Sequence, residues 1–174
     1  MNGDPPSASL LVGAVPQAAA PGRGTAAALL ASARPRQALK NVLVLAAPAA
    51  AGQLLDLGVL AQVAGAFAAF TLTASGLYLF NDVHDARLDR LHPRKASRPV
   101  ASGRLSARTA LAAGAVLVAA GLGTAALVGL EFLGVVAAYA AIIGCYITWA
   151  RDVVVLDLAA AAWCVVFGVA VTLG

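Results

Sequence analysis

The chain has 174 residues, 61% of them hydrophobic and 11% charged, against roughly 45–50% and about 25% in soluble domains. A mean hydropathy of +0.86 with a formal charge of +4 excludes an ordinary soluble enzyme. Most of the chain must lie in lipid.

Residues 1–33 are rich in Ala, Gly and Pro. Their short apolar stretch Leu10–Val15 has no basic residue ahead of it and is interrupted by Pro16, which makes a poor signal peptide. The segment reads as a disordered or surface leader with a short helix around Ala26–Ser32. Apolar runs then follow at Leu39–Leu60, Val63–Phe80, Ala110–Leu130, Phe132–Trp149 and Val153–Gly174. Each suits a membrane helix of about 20 residues. The first carries Pro48 in mid-span, with Gln53 and Asp56 towards its far end; proline is tolerated in lipid where neighbours re-satisfy the freed backbone. The expected fold is all-α, a polytopic transmembrane bundle with about five spans. Cys145 and Cys164 lie inside apolar runs without a C-x-x-C partner, and are expected to be small buried packing residues.

Charge placement tests this order. If the spans alternate, Arg23, Arg34, Arg36 and Lys40 precede the first span. Arg87, Arg90, Arg94, Lys95, Arg98, Arg104 and Arg108 fall between the second and third, and Arg151 between the fourth and fifth. All 12 basic residues therefore share one side, and the opposite turns hold only Asp56 and Glu131. The positive-inside rule makes the basic side cytoplasmic, so the N-terminus and the long loop are expected there. No nucleic-acid partner is expected.

The loop Asn81–Ser106 carries the chemistry. Asn81, Asp82, Asp85 and Asp89 follow N-D-x-x-D-x-x-x-D, and on a continuing helix offsets of three and four place side chains on one face. Carboxylates this close repel unless protonated or bridged by a cation. Mg²⁺ is the natural choice, being commonly shared between one or two carboxylates and substrate phosphates. The acids begin where an apolar run ends, a position at which ionisable groups are functional by default. Arg94, Lys95, Arg98 and Arg104 follow directly; alone they would signify orientation or anionic-lipid contact. Together with the acids they make a clamp for a diphosphate leaving group. Lys40, at a helix start, suits a lipid-linked phosphate, and Arg151 with Asp157 could line the same cavity. His84 and His92 lack companions at ligand spacing and read as loop residues.

These residues resemble the UbiA superfamily of membrane prenyltransferases. The resemblance rests on Asn81–Asp89, then His92-Pro93 and Arg98-Pro99-Val100-Ala101-Ser102-Gly103. Within it the decaprenyl-phosphate phosphoribosyltransferase branch is most similar, through Arg34-Pro-x-Gln37 before Lys40-Asn41, Ser75-x-x-Tyr78, and Tyr146…Arg151…Leu156-Asp157. The resemblance covers residues 34–174 and implies the N-terminal part of a bundle of about nine spans. It implies two acidic motifs about a central cavity, with Mg²⁺ and the first motif holding phosphoribosyl pyrophosphate. A polyprenyl phosphate oxygen then displaces diphosphate, in synthesis of cell-wall arabinan precursors. By this analogy Asp82, Asp85 and Asp89 are catalytic and hold metal with Asn81. Lys40, Tyr78, Lys95, Arg98 and Arg151 bind substrate or phosphate, and the partners are an isoprenoid lipid and a diphosphate-bearing co-substrate.

The sequence departs from that pattern in lacking a second acidic motif before Gly174, and in having Trp163, Cys164 and Gly168 where the branch shows Gly and a downstream Arg. Two other readings therefore stand beside the first. One is an aromatic prenyltransferase of quinone or haem type. The other, from a different class, is an inactive truncated membrane protein that keeps the fold.

Overall fold

The computed structural model describes residues 23–35, 42, 45–50, 52 and 55–149. These form α1 (Arg23–Ser32), α2 (Ala46–Ala50), α3 (Leu57–His84), α4 (Ala86–Asp89), α5 (Ala107–Val128) and α6 (Leu130–Trp149), with no strand among the described residues. The all-α expectation holds. Leu57–His84, Ala107–Val128 and Leu130–Thr148 are long and apolar enough to cross a membrane, which accounts for three of the five expected spans. The fifth run lies outside the described residues, as do Arg36, Gln37, Lys40, Asn41, Arg151, Asp157 and Cys164. The first run is described only in part. The expected helix near Ala26–Ser32 begins at Arg23 and is more than a surface element, because Ala28 and Ser32 are buried.

Helix boundaries follow capping more closely than apolar runs. Asp56, expected inside the first span, instead begins α3: its side chain accepts hydrogen bonds from Gly58 N at 2.7 Å and Val59 N at 3.1 Å. A carboxylate at this position satisfies otherwise unpaired amides and suits the positive end of the helix dipole. Leu57–Leu60 therefore belong to α3. Ser106 caps α5 in the same manner, accepting from Thr109 N at 3.1 Å. A single residue, Gly129, separates α5 from α6.

At 28 residues α3 is about 42 Å long, whereas the hydrocarbon layer is about 30 Å thick. With its capped start at one boundary, its last turns emerge on the other side. Those turns carry Asn81 and Asp82.

The body of the bundle is α3 packed on α5, with α6 against both. Small residues set the approach of the first two. A Cβ on Gly76 would lie 2.6 Å from Gly114 O, and one on Gly121 would lie 2.9 Å from both Ala69 O and Thr73 N. Lipid tails provide no hydrophobic drive between helices, so such close backbone contact is what holds them. Phe70 anchors α6, meeting Phe132 and Tyr139 edge-on with centroids 5.6 and 5.7 Å away. Such aromatic pairs add about 0.5–1.5 kcal/mol each beyond the area they bury. Cys145, expected to be buried, is exposed on α6 among the described residues.

A second, smaller core lies at the loop end. Ala28 of α1, Leu79 of α3, Ala86 of α4, Val100 and Leu105 of the loop and Ala110 of α5 pack together. It fixes the chain on either side of the charged residues.

Candidate active site

Asp85 is where the helical path changes. Its φ of −84° and ψ of −5° end α3, although its N–H still donates to Asn81 O and the Asp89 N–H to Asp85 O. Asp82 and Asp89 face one centre and Asp85 faces aside. The expectation of three carboxylates on one face is corrected to this extent: among the described residues no three His, Cys, Asp or Glu side chains converge as a metal-holding group.

At the centre, Arg98 spans both acids. Its Nη1 lies 2.7 Å from Asp89 Oδ2 and 3.5 Å from Asp82 Oδ1. Arg34 comes from the turn after α1, and its Nη2 donates to Asp82 Oδ1 at 2.9 Å. Its guanidinium also sits over the Tyr78 ring, 4.7 Å from the centroid. The carboxylates are buried, with Asp82 and Asp89 only 2% and 3% exposed, while the Arg34 and Arg98 side chains are 19% and 21% exposed. Buried carboxylates of this kind are costly without partners, so the two arginines are structural necessities. Tyr78, expected to touch phosphate, is itself buried and serves as the platform under Arg34.

Asp85 belongs to the flank. Asn81 Nδ2 donates to its Oδ2 at 3.1 Å, and with His84, Arg87, Leu88 and Leu91 it lines an open cleft of about 480 Å³. The loop beyond is held by its own hydrogen bonds. Arg90 Nε donates to Ala101 O at 3.1 Å, and Arg104 to Ser97 O and Ser102 Oγ. Arg104, one of the four loop cations expected to face phosphate, is thus spent on folding the loop. His92 caps a turn, its Nδ1 accepting from Arg94 N at 3.2 Å. Gly103 has a φ of +78°, which closes the loop where a side chain would be strained. Lys95 is half-buried and has no ion pair among the described residues. Lys40 and Arg151 lie outside them.

Arg34 joins this cluster although sequence reasoning did not assign it to the site. Its signal was its place in Arg34-Pro-x-Gln37, ahead of the first span; nothing local says that it reaches Asp82, 48 residues on.

Residues 41–174 match the family model described as "UbiA prenyltransferase family". The chain belongs to the UbiA prenyltransferase family. Over 132 residues it is 41% identical to the decaprenyl-phosphate phosphoribosyltransferase of Corynebacterium glutamicum, covering 73% of this chain and 37% of that protein. The enzyme of the same name from Mycobacterium tuberculosis is 52% identical over 81 residues, 44% of this chain and 27% of that one. The nodulation protein NoeC of Azorhizobium caulinodans is 38% identical over 125 residues, 72% of this chain and 40% of that protein. The chain thus spans less than half the length of these relatives. UbiA prenyltransferases are generally dependent on a divalent metal. The side chains here fit one: the donors are all hard oxygens, and with so few carboxylates converging, a cation would share its remaining positions with substrate phosphate.

Proposed function

We propose that this chain carries the first acidic motif of a UbiA enzyme that transfers 5-phosphoribose from phosphoribosyl pyrophosphate to a polyprenyl phosphate, such as decaprenyl phosphate. The observation that carries the reading is the pairing of buried Asp82 and Asp89 with Arg34 and Arg98 where a membrane span ends. That arrangement suits a substrate that is anionic, phosphorylated and delivered at the lipid boundary. The two relatives bearing the phosphoribosyltransferase name, with Ser75, Tyr78 and the Asn81–Asp89 motif in order, favour this donor over an allylic diphosphate. By the positive-inside rule the basic loop favours the cytoplasmic face of a bacterial plasma membrane as the seat of the reaction.

Asp82 and Asp89 would hold the divalent cation, Asn81 and Asp85 standing on the flank, with Mg²⁺ favoured by the hard donor set; when bound it would neutralise charge on the diphosphate. The attacking polyprenyl phosphate oxygen is already ionised at neutral pH, so the carboxylates are not needed as bases. As that oxygen bonds to the anomeric carbon, the bond from carbon to diphosphate breaks and charge gathers on the departing oxygens. Arg98, with its planar fork, and Lys95, a compact charge on the same loop, stabilise it there. Lys40 is assigned to the lipid phosphate, and Arg151 to phosphate from the start of the fifth run.

The test is transfer of labelled phosphoribose to decaprenyl phosphate by membranes containing the full-length protein. Asp82→Asn and Asp89→Asn should each lower it by about 10²-fold or more. Undiminished turnover in both would sink the site assignment. Competition by geranyl-type diphosphates but not by phosphoribosyl pyrophosphate would move the protein to the aromatic prenyltransferases.

A further inference from the structure

Three contacts pin the turn that follows α1. Ser75 Oγ donates to Ala33 O at 3.1 Å, Arg34 Nη2 donates to Asp82 Oδ1 at 2.9 Å, and the same guanidinium lies over Tyr78. The backbone does not favour this placement. Arg34 has a φ of +50°, in a region where an L-residue's Cβ crowds its carbonyl. The side chain is therefore held on Asp82 by its own contacts.

Charge counting then limits what else can enter. Asp82 and Asp89 supply two negative charges, Arg34 and Arg98 two positive ones, and the quartet is neutral. A divalent cation placed on these carboxylates beside both guanidiniums would leave a part-buried excess of positive charge. One arginine must give way. Arg98 is the worse candidate, since it grips Asp89 at 2.7 Å and its backbone is built into the loop, its N–H donating to Lys95 O and its carbonyl accepting from Ser102 N. Arg34 has only Asp82 as an ion-pair partner among the described residues, and it sits about one-fifth exposed at the edge of the cluster.

We infer that Arg34 is an internal counter-cation, displaced from Asp82 by the incoming divalent cation, and that its freed guanidinium then takes diphosphate oxygens of the donor. The inference rests on the proposed reading of the site as a metal and diphosphate centre. It gives Tyr78 a defined part as well, that of a positioning residue on which the guanidinium rests while it is on Asp82. Cation and donor then arrive together with little change in net charge, because a metal–diphosphate pair brings the anion that the released arginine needs.

A purely structural ion pair and a displaceable one differ in sign. If Arg34 merely orients Asp82, removing it weakens metal binding; if it competes with the metal, removing it strengthens binding. The experiment is Mn²⁺ binding to full-length protein in lipid nanodiscs, read from loss of the free-ion paramagnetic resonance signal, first without and then with inorganic diphosphate. Without diphosphate, Arg34→Gln should bind Mn²⁺ about tenfold more tightly than wild type, the scale of one neighbouring charge. At saturating Mn²⁺ the same variant should bind diphosphate about tenfold more weakly. Arg34→Lys keeps the charge but loses the planar fork and should fall between the two in both measurements. It carries the test should Arg34→Gln not fold. Mn²⁺ affinity that is unchanged or weakened in these variants overturns the proposal, and so does Mn²⁺ binding that is indifferent to Asp82→Asn. If the tightening is found but the full-length protein transfers a prenyl group in place of phosphoribose, the donor assignment falls and the role of Arg34 stands.

Discussion

Placing alanine at Gly121 adds one methyl group to the tightest part of the seam between α3 and α5. The new Cβ would overlap Thr73 Oγ1 and stand 2.9 Å from Ala69 O and Thr73 N, whereas ordinary contacts begin near 3.4 Å. Two of those neighbours are backbone, so no rotamer change relieves them, and the helices must separate by about 0.5 Å. A gap of that size forfeits about a quarter of each well-formed contact alongside it. With the strain of overpacking, the expected cost is about 1–3 kcal/mol. Gly123, two residues on, supplies the control, since a Cβ there meets nothing within 4 Å. Gly123→Ala should be neutral or stabilising by up to about 1 kcal/mol, from backbone entropy alone. The measurement is loss of helical circular dichroism in mixed micelles of rising dodecyl sulfate content, comparing midpoints of the two variants. Gly121→Ala should unfold well before wild type and Gly123→Ala at or after it. Equal midpoints would refute the claim that backbone contact at Gly121 holds the helix pair.

Arg98→Gln should lower transfer by about 10²-fold or more and cost about 2–3 kcal/mol, less than the 3–5 typical of a fully buried pair because Arg98 is partly exposed; Arg98→Lys should recover part of both, measured as initial rates and unfolding midpoints. Lys95→Ala should raise KM for the diphosphate donor about tenfold with an unchanged midpoint, since losing one phosphate contact is worth about 1.4 kcal/mol; a stability loss without a KM change would remove Lys95 from the site. Asp56→Ala should cost about 1 kcal/mol through loss of the α3 cap and leave the transfer rate unaltered, the cap lying at the opposite end of the helix from Asp82.

The spans were legible because apolar runs of membrane length have few other uses, and α3, α5 and α6 cover the second, third and fourth of them. Their ends were less legible. A run of apolar letters does not show that Asp56 will turn its carboxylate onto Gly58 and Val59, so four residues moved from one expected span to the next. Spacing alone singled out the acidic motif, but it treated Asp85 as equivalent to its neighbours. The change of path at Asp85 separates it from Asp82 and Asp89. Loop cations were counted alike in the sequence. Folding divides them, because Arg90 and Arg104 serve backbone carbonyls while Arg98 serves carboxylates. Arg34 was hardest to foresee, its partner being set by the docking of α1 through Ala28 against Leu79 and Ala110, a long-range event with no local signature.

The single glycine between α5 and α6 bears on how such a chain is built into a membrane. With helices so closely joined, α5 and α6 can enter lipid as one paired hairpin, and the stretch that must be carried across is only a glycine and its neighbours. Glu131 is the sole acidic residue in the first turn of α6, at the helix end where the dipole favours it. Translocating one such charge costs a few kcal/mol at the bilayer centre. The segment joining α4 to α5, with its arginines and Lys95, would multiply that barrier several times over. On this count the α5–α6 turn is by far the cheaper of the two connections to carry across.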